Sequence, residues 1–576
     1  MKRLLPIATA VAAGLLVACA NPDPPRLMAE PKSCAAAAAA VAADNPVRGT
    51  TLRITKSEEQ AATSEVKAHC LVEGAMNERI SAVDGRPYAM KFRMRMPQPQ
   101  DWNGKYFMQS VGGFVGIVDT GFGWYYGMID NAFSRGYAVI VQDAGHDNAV
   151  NSDPDAGGPS AFARDPQARI DFGHNSYDVV ARAGKAIVST YYAKAPAHSY
   201  FLSCSDGGRQ AVGIAQRYPT VFDGIVAGAP AMSIPYMSAY VPLIVQTLAP
   251  LAERAGHRDA NGRPLFNRIY TDADFQLVSN AVLEACDGLD GLKDGIANNI
   301  AACTDAVVVP KLTALTCQGA KTSSCLAADQ ISALRTLMAG PKTSTGAQLY
   351  PGQAWDPGIG GMNAGAFNQE FRRQWFGTYD SPTNNSTKMT ISAPQAMMVW
   401  KTPPTPMTIP QAIDFFMKYN LDDTEASITR TNDVYKQSVV EWGLMNSPDL
   451  SGFKRRGGKM IAWIGNADAA VSAKETIGWY NQVNDREGGK ASDFLKLFVV
   501  PGMAHCTGGM ATDRFDMLTA LEAWVERGNL DSVPAEASKP GFFGVASRTR
   551  PLCPYPKYAH YNGSGDINVA ASFTCK

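Results

Sequence analysis

The sequence predicts an α/β fold in which one sheet-forming domain is interrupted by a long insertion. Short apolar runs bounded by Gly, Asp or Pro are typical of buried strands, and they alternate with segments of helical apolar spacing. These strand signals stop near residue 233 and resume near residue 459. The predicted strands cover residues 105–109, 137–142, 199–203, 222–227, 459–464 and 495–500.

The chain of 576 residues exceeds what one simple core accommodates, so a second domain or a large insertion is expected. We assign residues 46–232 and 457–576 to the α/β domain and residues 233–456, which are loop-rich in composition, to an inserted lid domain. The formal net charge is zero. This balance argues against nucleic acid as a partner, because phosphate binding requires an excess of Lys and Arg on one face.

The N-terminus is predicted to be an export signal. Residues 1–19 combine a basic start with an apolar run too short for a mature membrane helix, and they end at Cys19 in a lipobox-like sequence. The alternative is an ordinary signal peptide cleaved after Ala18 or Ala20. Residues 20–45 are interpreted as a tether. Both interpretations place the protein outside the cytoplasm, as a periplasmic or outer-membrane lipoprotein or as a secreted protein.

The cysteine count supports export. Eleven cysteines include Cys19, which leaves an even set of ten, and an even set in an exported chain indicates disulfides. A metal site built from these cysteines is disfavoured because no CxxC pair occurs. Sequence proximity favours three local pairs: Cys286 with Cys303, Cys317 with Cys325, and Cys553 with Cys575.

A nucleophile elbow is predicted around Ser205. The segment 203–208, Ser-Cys-Ser-Asp-Gly-Gly, lies between a predicted strand and a helix, where such a turn exposes the serine hydroxyl. The common pattern is G-x-S-x-G, and Ser203 replaces its first glycine. The alternative is a glycine-rich phosphate-binding turn, which the absence of a following P-loop Lys disfavours.

The partners of Ser205 should follow in the order acid, then histidine. His505 follows the last predicted strand directly, whereas His560 lies in an aromatic tail-like segment. Asp468 lies in the loop after the preceding strand; its alternative role is to cap the helix near 472–480. His505 would take the proton of Ser205 as general base, and Asp468 would fix the tautomer of His505.

Two further features support this α/β-hydrolase arrangement. Cys204 precedes the nucleophile and Cys506 follows the histidine, so a hydrogen bond between Ser205 and His505 would bring the two cysteines near disulfide distance. An oxyanion hole is expected from the backbone N–H groups of Asp206 and Gly113.

An acidic loop in the insertion predicts a structural cation site. Asp287, Asp290 and Asp294 are separated by glycines, a pattern that suits Ca²⁺ with backbone carbonyls completing the shell. The alternative is a solvated acidic turn. No organic cofactor is expected.

Together, Cys204-Ser205, Asp468 and His505-Cys506 resemble the CS-D-HC signature of the tannase and feruloyl esterase family over the whole mature chain. The resemblance implies an α/β-hydrolase domain with a lid over the site. It also implies a lid Ca²⁺ and five disulfides. The implied calcium ligands are Asp287, Asp290, Leu292, Asp294 and Ile296. The implied disulfide pairs are Cys34–Cys70, Cys204–Cys506, Cys286–Cys303, Cys317–Cys325 and Cys553–Cys575.

Within the family, the chain resembles bacterial members that hydrolyse mono(2-hydroxyethyl) terephthalate. The resemblance places Lys388 where those enzymes use an Arg to grip the free carboxylate of the substrate; its alternative is a solvated surface lysine. A lysine retains the charge without the planar fork. Gln374 and Ser392 replace aromatic residues of the lid, and Val471 replaces a Phe near the catalytic acid, which predicts a roomier pocket.

We therefore expect a serine carboxylic-ester hydrolase that cleaves aromatic-acid esters of the mono(2-hydroxyethyl) terephthalate type through an acyl-enzyme. The first alternative is a feruloyl or galloyl esterase of the tannase type. The second is a non-catalytic lipoprotein that binds aromatic ligands. The expected partner is a small aromatic ester, and contact with a membrane is expected only through an N-terminal lipid anchor.

Overall fold

A nine-stranded mixed sheet forms the centre of the protein in a computed structural model that describes residues 30–124, 130–360, 371–537 and 547–576. The strands are β1 (Leu52–Gln60), β2 (His69–Ile80), β3 (Pro87–Pro97), β4 (Lys105–Gln109), β5 (Ala138–Gln142), β6 (His198–Cys204), β7 (Gly224–Gly228), β8 (Lys459–Gly465) and β9 (Leu495–Val500). Their order is β1-β2-β3-β5-β4-β6-β7-β8-β9. Four short strands form two separate hairpin-like pairs: β10 (Val533–Glu536) with β11 (Thr549–Leu552), and β12 (Ala559–Tyr561) with β13 (Phe573–Cys575).

The six strands from β4 to β9 are parallel, and they correspond to the predicted strands within two residues at each end. Every residue of β5 and of β7 is buried, as expected for strands covered on both faces. The α/β class predicted from the sequence is confirmed. Because all six strands point the same way, the loops after their carboxyl ends meet at one edge of the sheet.

The antiparallel strands β1, β2 and β3 were not predicted. β3 shows the alternation typical of a half-buried strand, because Phe92, Met94 and Met96 are buried while Lys91 and Arg93 are partly exposed. This alternation of buried and exposed residues with a period of two is the sequence signal that could have predicted β3. The three strands extend the sheet beyond β5 and complete its antiparallel edge.

Helices pack against the sheet and build the insertion. The helices outside the insertion are α1 (Cys34–Ala43), α2 (Asn148–Asn151), α3 (Pro166–Ile170), α4 (Ser176–Tyr191), α5 (Asp206–Arg217), α17 (Ala473–Arg486) and α18 (Met517–Arg527). Those of the insertion are α6 (Ile234–Met237), α7 (Tyr240–Arg254), α8 (Asp272–Cys286), α9 (Asp305–Ala314), α10 (Ala328–Ala339), α11 (Phe371–Trp375), α12 (Ala393–Gln395), α13 (Ile409–Met417), α14 (Thr424–Ile428), α15 (Val439–Gly443) and α16 (Ser451–Arg455).

The tether predicted over residues 20–45 is wrong in its second half, where the chain forms α1. The hydroxyl of Ser33 caps this helix, and the helix buries Ala37 and Ala38 against the α/β domain. A disulfide joins Cys34 at its start to Cys70 in β2. Alanine is the best helix former, which explains why this Ala-rich segment is ordered. The predicted signal and lipobox lie outside the described residues.

The insertion is more helical than its loop-rich composition indicated. It leaves the sheet after β7 and returns at β8, and its described residues contain no strand longer than an isolated bridge. Local signals account for its helices: α8, for example, begins with a capping box between Thr271 and Asp274. Ile234–Arg254 is long and apolar enough to span a membrane, but 61% of its apolar window is buried, as in a core helix.

Five disulfides are present, with the pairing that the family resemblance implies. They are Cys34–Cys70, Cys204–Cys506, Cys286–Cys303, Cys317–Cys325 and Cys553–Cys575. All ten predicted disulfide cysteines are therefore bonded, and the three local pairs favoured by sequence proximity are among the five bridges.

The bridges differ in what they connect. The two that lie wholly within the insertion close short loops: Cys286 is 17 residues from Cys303, and Cys317 is 8 residues from Cys325. The Cys204–Cys506 bridge instead spans 302 residues. Cys204 ends β6 and Cys506 lies in the loop after β9, so this bridge connects the end of one parallel strand to the loop that follows another.

Candidate active site

Ser205 occupies a sharp turn between β6 and α5. Its backbone adopts φ 63° and ψ −125°, a strained conformation for a residue other than glycine and the one that a nucleophile elbow requires. The N–H of Ser205 donates to the carbonyl of Gly228 at 3.0 Å. A Cβ on Gly208 would lie 2.1 Å from that same carbonyl oxygen, so only glycine allows α5 to approach β7 this closely.

Ser203 replaces the first glycine of the common elbow pattern without disturbing the turn. Its hydroxyl donates to the carbonyl of Ser110 at 2.7 Å, in the interior. A Cβ on Gly207 would lie 1.8 Å from the Ser203 hydroxyl. Gly207, the second glycine of the pattern, therefore cannot be replaced, because the Ser203 hydroxyl fills the space that a side chain would need.

The three predicted catalytic side chains are brought together. The Nε2 atom of His505 lies 2.8 Å from the Oγ of Ser205, and its Nδ1 lies 2.7 Å from Oδ2 of Asp468. Asp468 is only 2% exposed and His505 8%. The hydrogen-bonded chain from carboxylate to imidazole to hydroxyl is the arrangement that activates a serine as a nucleophile.

The loop after β8 fixes the carboxylate of Asp468. Its Oδ1 accepts hydrogen bonds from the N–H groups of Ala470 at 2.8 Å and Val471 at 2.9 Å, which leaves Oδ2 directed at His505. Asp468 is not the cap of α17, because the hydroxyl of Ser472 accepts the capping bond from the N–H of Lys474.

The competing histidine, His560, lies elsewhere. It belongs to β12, and its ring lies beside Gly291 in the acidic loop of the insertion, where an added Cβ would be 3.1 Å from Cε1 of His560. His505 is therefore the histidine that the fold places beside Ser205.

The disulfide between Cys204 and Cys506 joins the turn of Ser205 to the loop of His505. Its Cα atoms are 6.2 Å apart, within the range predicted from the expected contact of Ser205 and His505. Cys506 has a positive φ of 65°, so the backbone turns sharply at the residue after His505. The bridge limits the separation of Ser205 from His505.

Both residues predicted for the oxyanion hole line the cavity that contains Ser205. Asp206 is the first residue of α5, so its N–H has no acceptor within the helix and lies at the positive end of the helix dipole. The Asp206 side chain does not enter the reaction site, because it is buried in an ion pair with Arg209 at 2.7 Å.

The second donor loop follows β4. A Cβ on Gly112 would lie 2.9 Å from the carbonyl oxygen of Cys204, and the φ of Gly112 is +80°, so the position requires glycine for two reasons. Gly113, with φ +59°, follows it and lies on the wall of the cavity. This close approach brings the predicted donor loop beside the nucleophile turn.

The cavity has a volume of about 430 Å³ and lies between the sheet edge and the insertion. Three of the four predicted substrate-binding residues, Lys388, Gln374 and Ser392, line it. Val471 does not. It is buried behind the wall, where its N–H holds Asp468, and the adjacent Ala470 lines the cavity instead.

Lys388 is not a surface residue. It is 3% exposed, and its Nζ lies 3.3 Å from the carbonyl oxygen of Ala470 and 5.9 Å from the ring centres of Tyr240 and Trp375. Burial lowers the pKa of its ammonium group to about 8. The alternative of a solvated lysine is therefore wrong, and the cavity wall contains a partly desolvated cation.

The sequence did not single out several other residues of this wall. Phe114, Thr387 and Gln395 line the cavity, and Trp375 supports it by donating its indole N–H to the carbonyl of Ala469 at 2.7 Å. Trp375 could have been found from the sequence, because it is adjacent to the predicted residue Gln374. No sequence motif marks Phe114, Thr387 or Gln395.

The acidic loop after α8 is ordered by its own backbone. Oδ1 of Asp287 accepts from the N–H of Asp294 and Gly295 at 3.1 and 3.0 Å, and Oδ2 of Asp290 accepts from the backbone and side chain of Asn298 at 2.8 and 2.9 Å. Burial raises the pKa of Asp287 and Asp290, and the negative charge of Asp294 adds to the shift.

Asp294 also has cationic neighbours. Its carboxylate pairs with Arg550, and its carbonyl accepts a hydrogen bond from Arg548 at 2.6 Å. Within the described ranges, no three His, Cys, Asp or Glu side chains converge as a ready-made metal site. The donor set nevertheless suits a hard cation, because it is made of carboxylate oxygens and backbone carbonyls.

Comparison with known proteins agrees with this geometry. A family model described as tannase and feruloyl esterase matches residues 70–576. The chain is 46% identical over 525 residues to the mono(2-hydroxyethyl) terephthalate hydrolase of Piscinibacter sakaiensis, a match that covers 89% of this chain and 86% of that protein. It is 29% identical over 501 residues to a probable feruloyl esterase of Arthroderma benhamiae, with coverages of 83% and 81%.

Solved structures share the fold. The crystal structure of feruloyl esterase B from Aspergillus oryzae matches with a TM-score of 0.70 at 21% identity, covering 94% of this chain and all (100%) of that one. The tannin acyl hydrolase from Aspergillus niger matches with a TM-score of 0.64 at 16% identity, over 95% and 96% of the two chains. The chain therefore belongs to the tannase and feruloyl esterase family and is a carboxylic-ester hydrolase.

Proposed function

We propose that the protein hydrolyses monoesters of aromatic dicarboxylic acids, of the mono(2-hydroxyethyl) terephthalate type. The observation that carries this proposal is the buried Lys388 in the wall of the cavity that contains Ser205. A desolvated ammonium group attracts a carboxylate more strongly than a solvated one, because the surrounding dielectric is low. The 46% identity to the terephthalate monoester hydrolase supports the same class of substrate.

The geometry supports a double-displacement reaction. The Oγ of Ser205 attacks the ester carbonyl carbon while Nε2 of His505 takes its proton, and the oxyanion faces the N–H groups of Gly113 and Asp206. The bond to the alcohol breaks as His505 returns the proton to the leaving oxygen. Water then attacks the carbonyl carbon of the acyl-enzyme while His505 takes its proton. The bond to Oγ of Ser205 breaks as His505 returns that proton to Oγ, which releases the acid.

A feruloyl or galloyl ester is the second candidate. Gln374, Ser392 and Gln395 line the cavity, and their amide and hydroxyl groups suit the phenolic hydroxyls of such acids. The cavity volume of about 430 Å³ accommodates a single aromatic acid of either kind. The charge of Lys388 favours the first candidate, because only the dicarboxylic acid offers a second negative group.

Lys388→Met is expected to separate the two candidates. Loss of a charged hydrogen bond should lower kcat/KM for mono(2-hydroxyethyl) terephthalate by about 10- to 100-fold. Methyl ferulate and methyl gallate, which lack the carboxylate, should be little affected. Lys342→Met, at an exposed lysine of the same insertion, is the matched control and should leave all three substrates unchanged.

The pH dependence gives an independent readout for the same residue. Because the pKa of Lys388 is about 8, its charge is lost above that pH, and KM for the monoester should rise there while KM for methyl ferulate stays level. Equal losses on all three substrates, or a pH dependence shared by all of them, would contradict a role in reading the carboxylate.

The acidic loop is proposed to bind a structural Ca²⁺ through Asp287, Asp290 and Asp294 and the carbonyls of Leu292 and Ile296. The support is that burial and mutual repulsion raise the pKa of two of these carboxylates, a cost that a divalent cation removes.

Removal of Ca²⁺ is expected to lower the melting temperature. A ligand that binds only the folded state contributes about 2.7 kcal/mol at one hundred times its Kd, and a chelator removes that contribution. The Asp290→Asn variant should melt at a lower temperature and lose its response to added Ca²⁺. Purified protein without bound Ca²⁺, and with unchanged melting after chelation, would rule out the site.

The protein is an exported one, as its five disulfides indicate. We infer further that Cys19 is lipidated and anchors the chain to a membrane, which the lipobox-like sequence before it supports. The intact mass of the protein purified from membranes, compared with that of Cys19→Ser, tests the anchor.

We also propose that the insertion acts as a lid, because Gln374, Lys388 and Ser392 of that segment line the cavity.

A further inference from the structure

One buried carboxylate of the insertion lies against the loops that hold the catalytic acid and base. Asp356 is 1% exposed and precedes the short helical turn Pro357–Gly360. Its Oδ2 accepts hydrogen bonds from the side-chain amide of Asn466 at 2.8 Å and from the N–H of Gly502 at 3.0 Å. Its Oδ1 accepts from the N–H of Gly358 at 2.7 Å.

The two external partners belong to different catalytic loops. Asn466 stands two residues before Asp468 in the loop after β8, and Gly502 stands three residues before His505 in the loop after β9. A single oxygen atom of Asp356 therefore joins the acid loop to the histidine loop. A shift of either loop would change the distance from Oδ2 of Asp468 to Nδ1 of His505, which is 2.7 Å.

The insertion is packed tightly over both loops at this point. The N–H of Ala467 donates to the carbonyl of Met503 at 3.1 Å, so the loops already touch each other. A Cβ on Gly358 would lie 2.7 Å from the Cβ of Ala467 and 3.0 Å from the carbonyl oxygen of Gly502, so the insertion has no room to shift here. Asp356 supplies the charged acceptor at this junction.

We infer that Asp356 is a positioning residue for catalysis, through which the insertion holds Asp468 and His505 in register. The insertion then does more than cover the substrate, because part of the catalytic geometry depends on it. Asp356 does not touch the substrate or the reacting atoms, so it acts through the two loops. The inference rests on ester hydrolysis by this triad and not on which aromatic acid is the substrate.

Asp356→Ala is the first test, with p-nitrophenyl acetate as a substrate that needs no particular acyl pocket. Displacement of catalytic groups by about 1 Å costs about 100-fold in rate, so we expect kcat to fall by about 10- to 100-fold with KM little changed. The pH profile of kcat/KM should change as well, since the hydrogen bond between His505 and Asp468 is perturbed.

A conservative variant and a matched control distinguish positioning from general stability. Asp356→Asn can turn its amide oxygen towards Asn466 and Gly502 and should restore most of kcat and the original pH profile. Its NH₂ group then faces the N–H of Gly358 within the insertion, so this variant should lose stability rather than activity. Asp274 is an equally buried aspartate of the insertion whose partners are Thr271, Lys321 and Gln330. Asp274→Ala should lower the melting temperature and leave kcat and the pH profile unchanged.

Asn466→Ala keeps the test decisive if Asp356→Ala does not fold, because it removes one of the two loop contacts and retains the carboxylate. It should reduce kcat and shift the pH profile in the same direction. The inference is overturned if folded Asp356→Ala or Asn466→Ala retains wild-type kcat and pH dependence. It is also overturned if Asp356→Ala and Asn466→Ala lose no more kcat than Asp274→Ala does at the same drop in melting temperature.

Discussion

Ser205→Ala is expected to lower kcat by about 10⁶-fold, with the fold intact. The reason is that the reaction depends on this one hydroxyl, which lies 2.8 Å from Nε2 of His505 on a turn that holds it there. Removal of one oxygen atom leaves the strained turn and the oxyanion donors in place. Turnover of p-nitrophenyl esters and of the aromatic esters, measured with circular dichroism and melting curves, checks the prediction.

Ser203→Ala is the matched control from the same turn. It removes the hydrogen bond to the carbonyl of Ser110, whose net contribution to stability is about 1 kcal/mol, and it leaves the triad unchanged. Activity should persist in this variant. If Ser205→Ala instead kept both turnover and ligand affinity, the hydroxyl would have no chemical role, and the protein would be a binding protein with a hydrolase fold.

Asp468→Asn is expected to lower kcat by about 10⁴-fold while the variant remains folded. Oδ1 of Asp468 accepts two hydrogen bonds, from the N–H groups of Ala470 and Val471. An asparagine must place its only oxygen there, so its NH₂ group would face Nδ1 of His505. The imidazole would then carry its proton on Nε2, where it cannot accept the proton of Ser205.

The comparison with Ser472→Ala shows whether the loss is chemical. Ser472 caps α17, so that variant should lower the melting temperature by removing a cap worth about 1 kcal/mol and should retain its activity. A result in which Asp468→Asn merely lowered stability, with kcat close to that of the native enzyme, would assign the catalytic acid to another residue.

Much of the fold and the triad could be predicted because both depend on local patterns. Each parallel strand contains a short apolar run, and Ser205, Asp468 and His505 lie one, three and five residues after the ends of β6, β8 and β9. Parallel strands expose their carboxyl ends at one edge of the sheet, so the order of the motifs along the chain was enough to bring these residues together. The antiparallel strand β3 also carried a local signal, an alternation of period two that the prediction did not use.

The surroundings of the triad could not be predicted in this way. Whether Lys388 is solvated or buried depends on Tyr240 and Trp375, which meet it only when the insertion folds. In the same way, the family resemblance pointed to Val471, but the cavity is lined by its neighbour Ala470. Burial and side-chain direction are properties of packing, and no repeating pattern of the short insertion helices encodes them.

The sequence by itself determined the parallel part of the sheet, the order of the catalytic groups and the chemistry of ester cleavage. Only the tertiary structure decided how the insertion contributes: it buried Lys388 in the cavity wall and placed Asp356 between the acid and histidine loops. The physical reason is the range of the interactions. Apolar periodicity and turn chemistry act over a few residues, whereas Asp356 acquires its role from partners more than one hundred residues away.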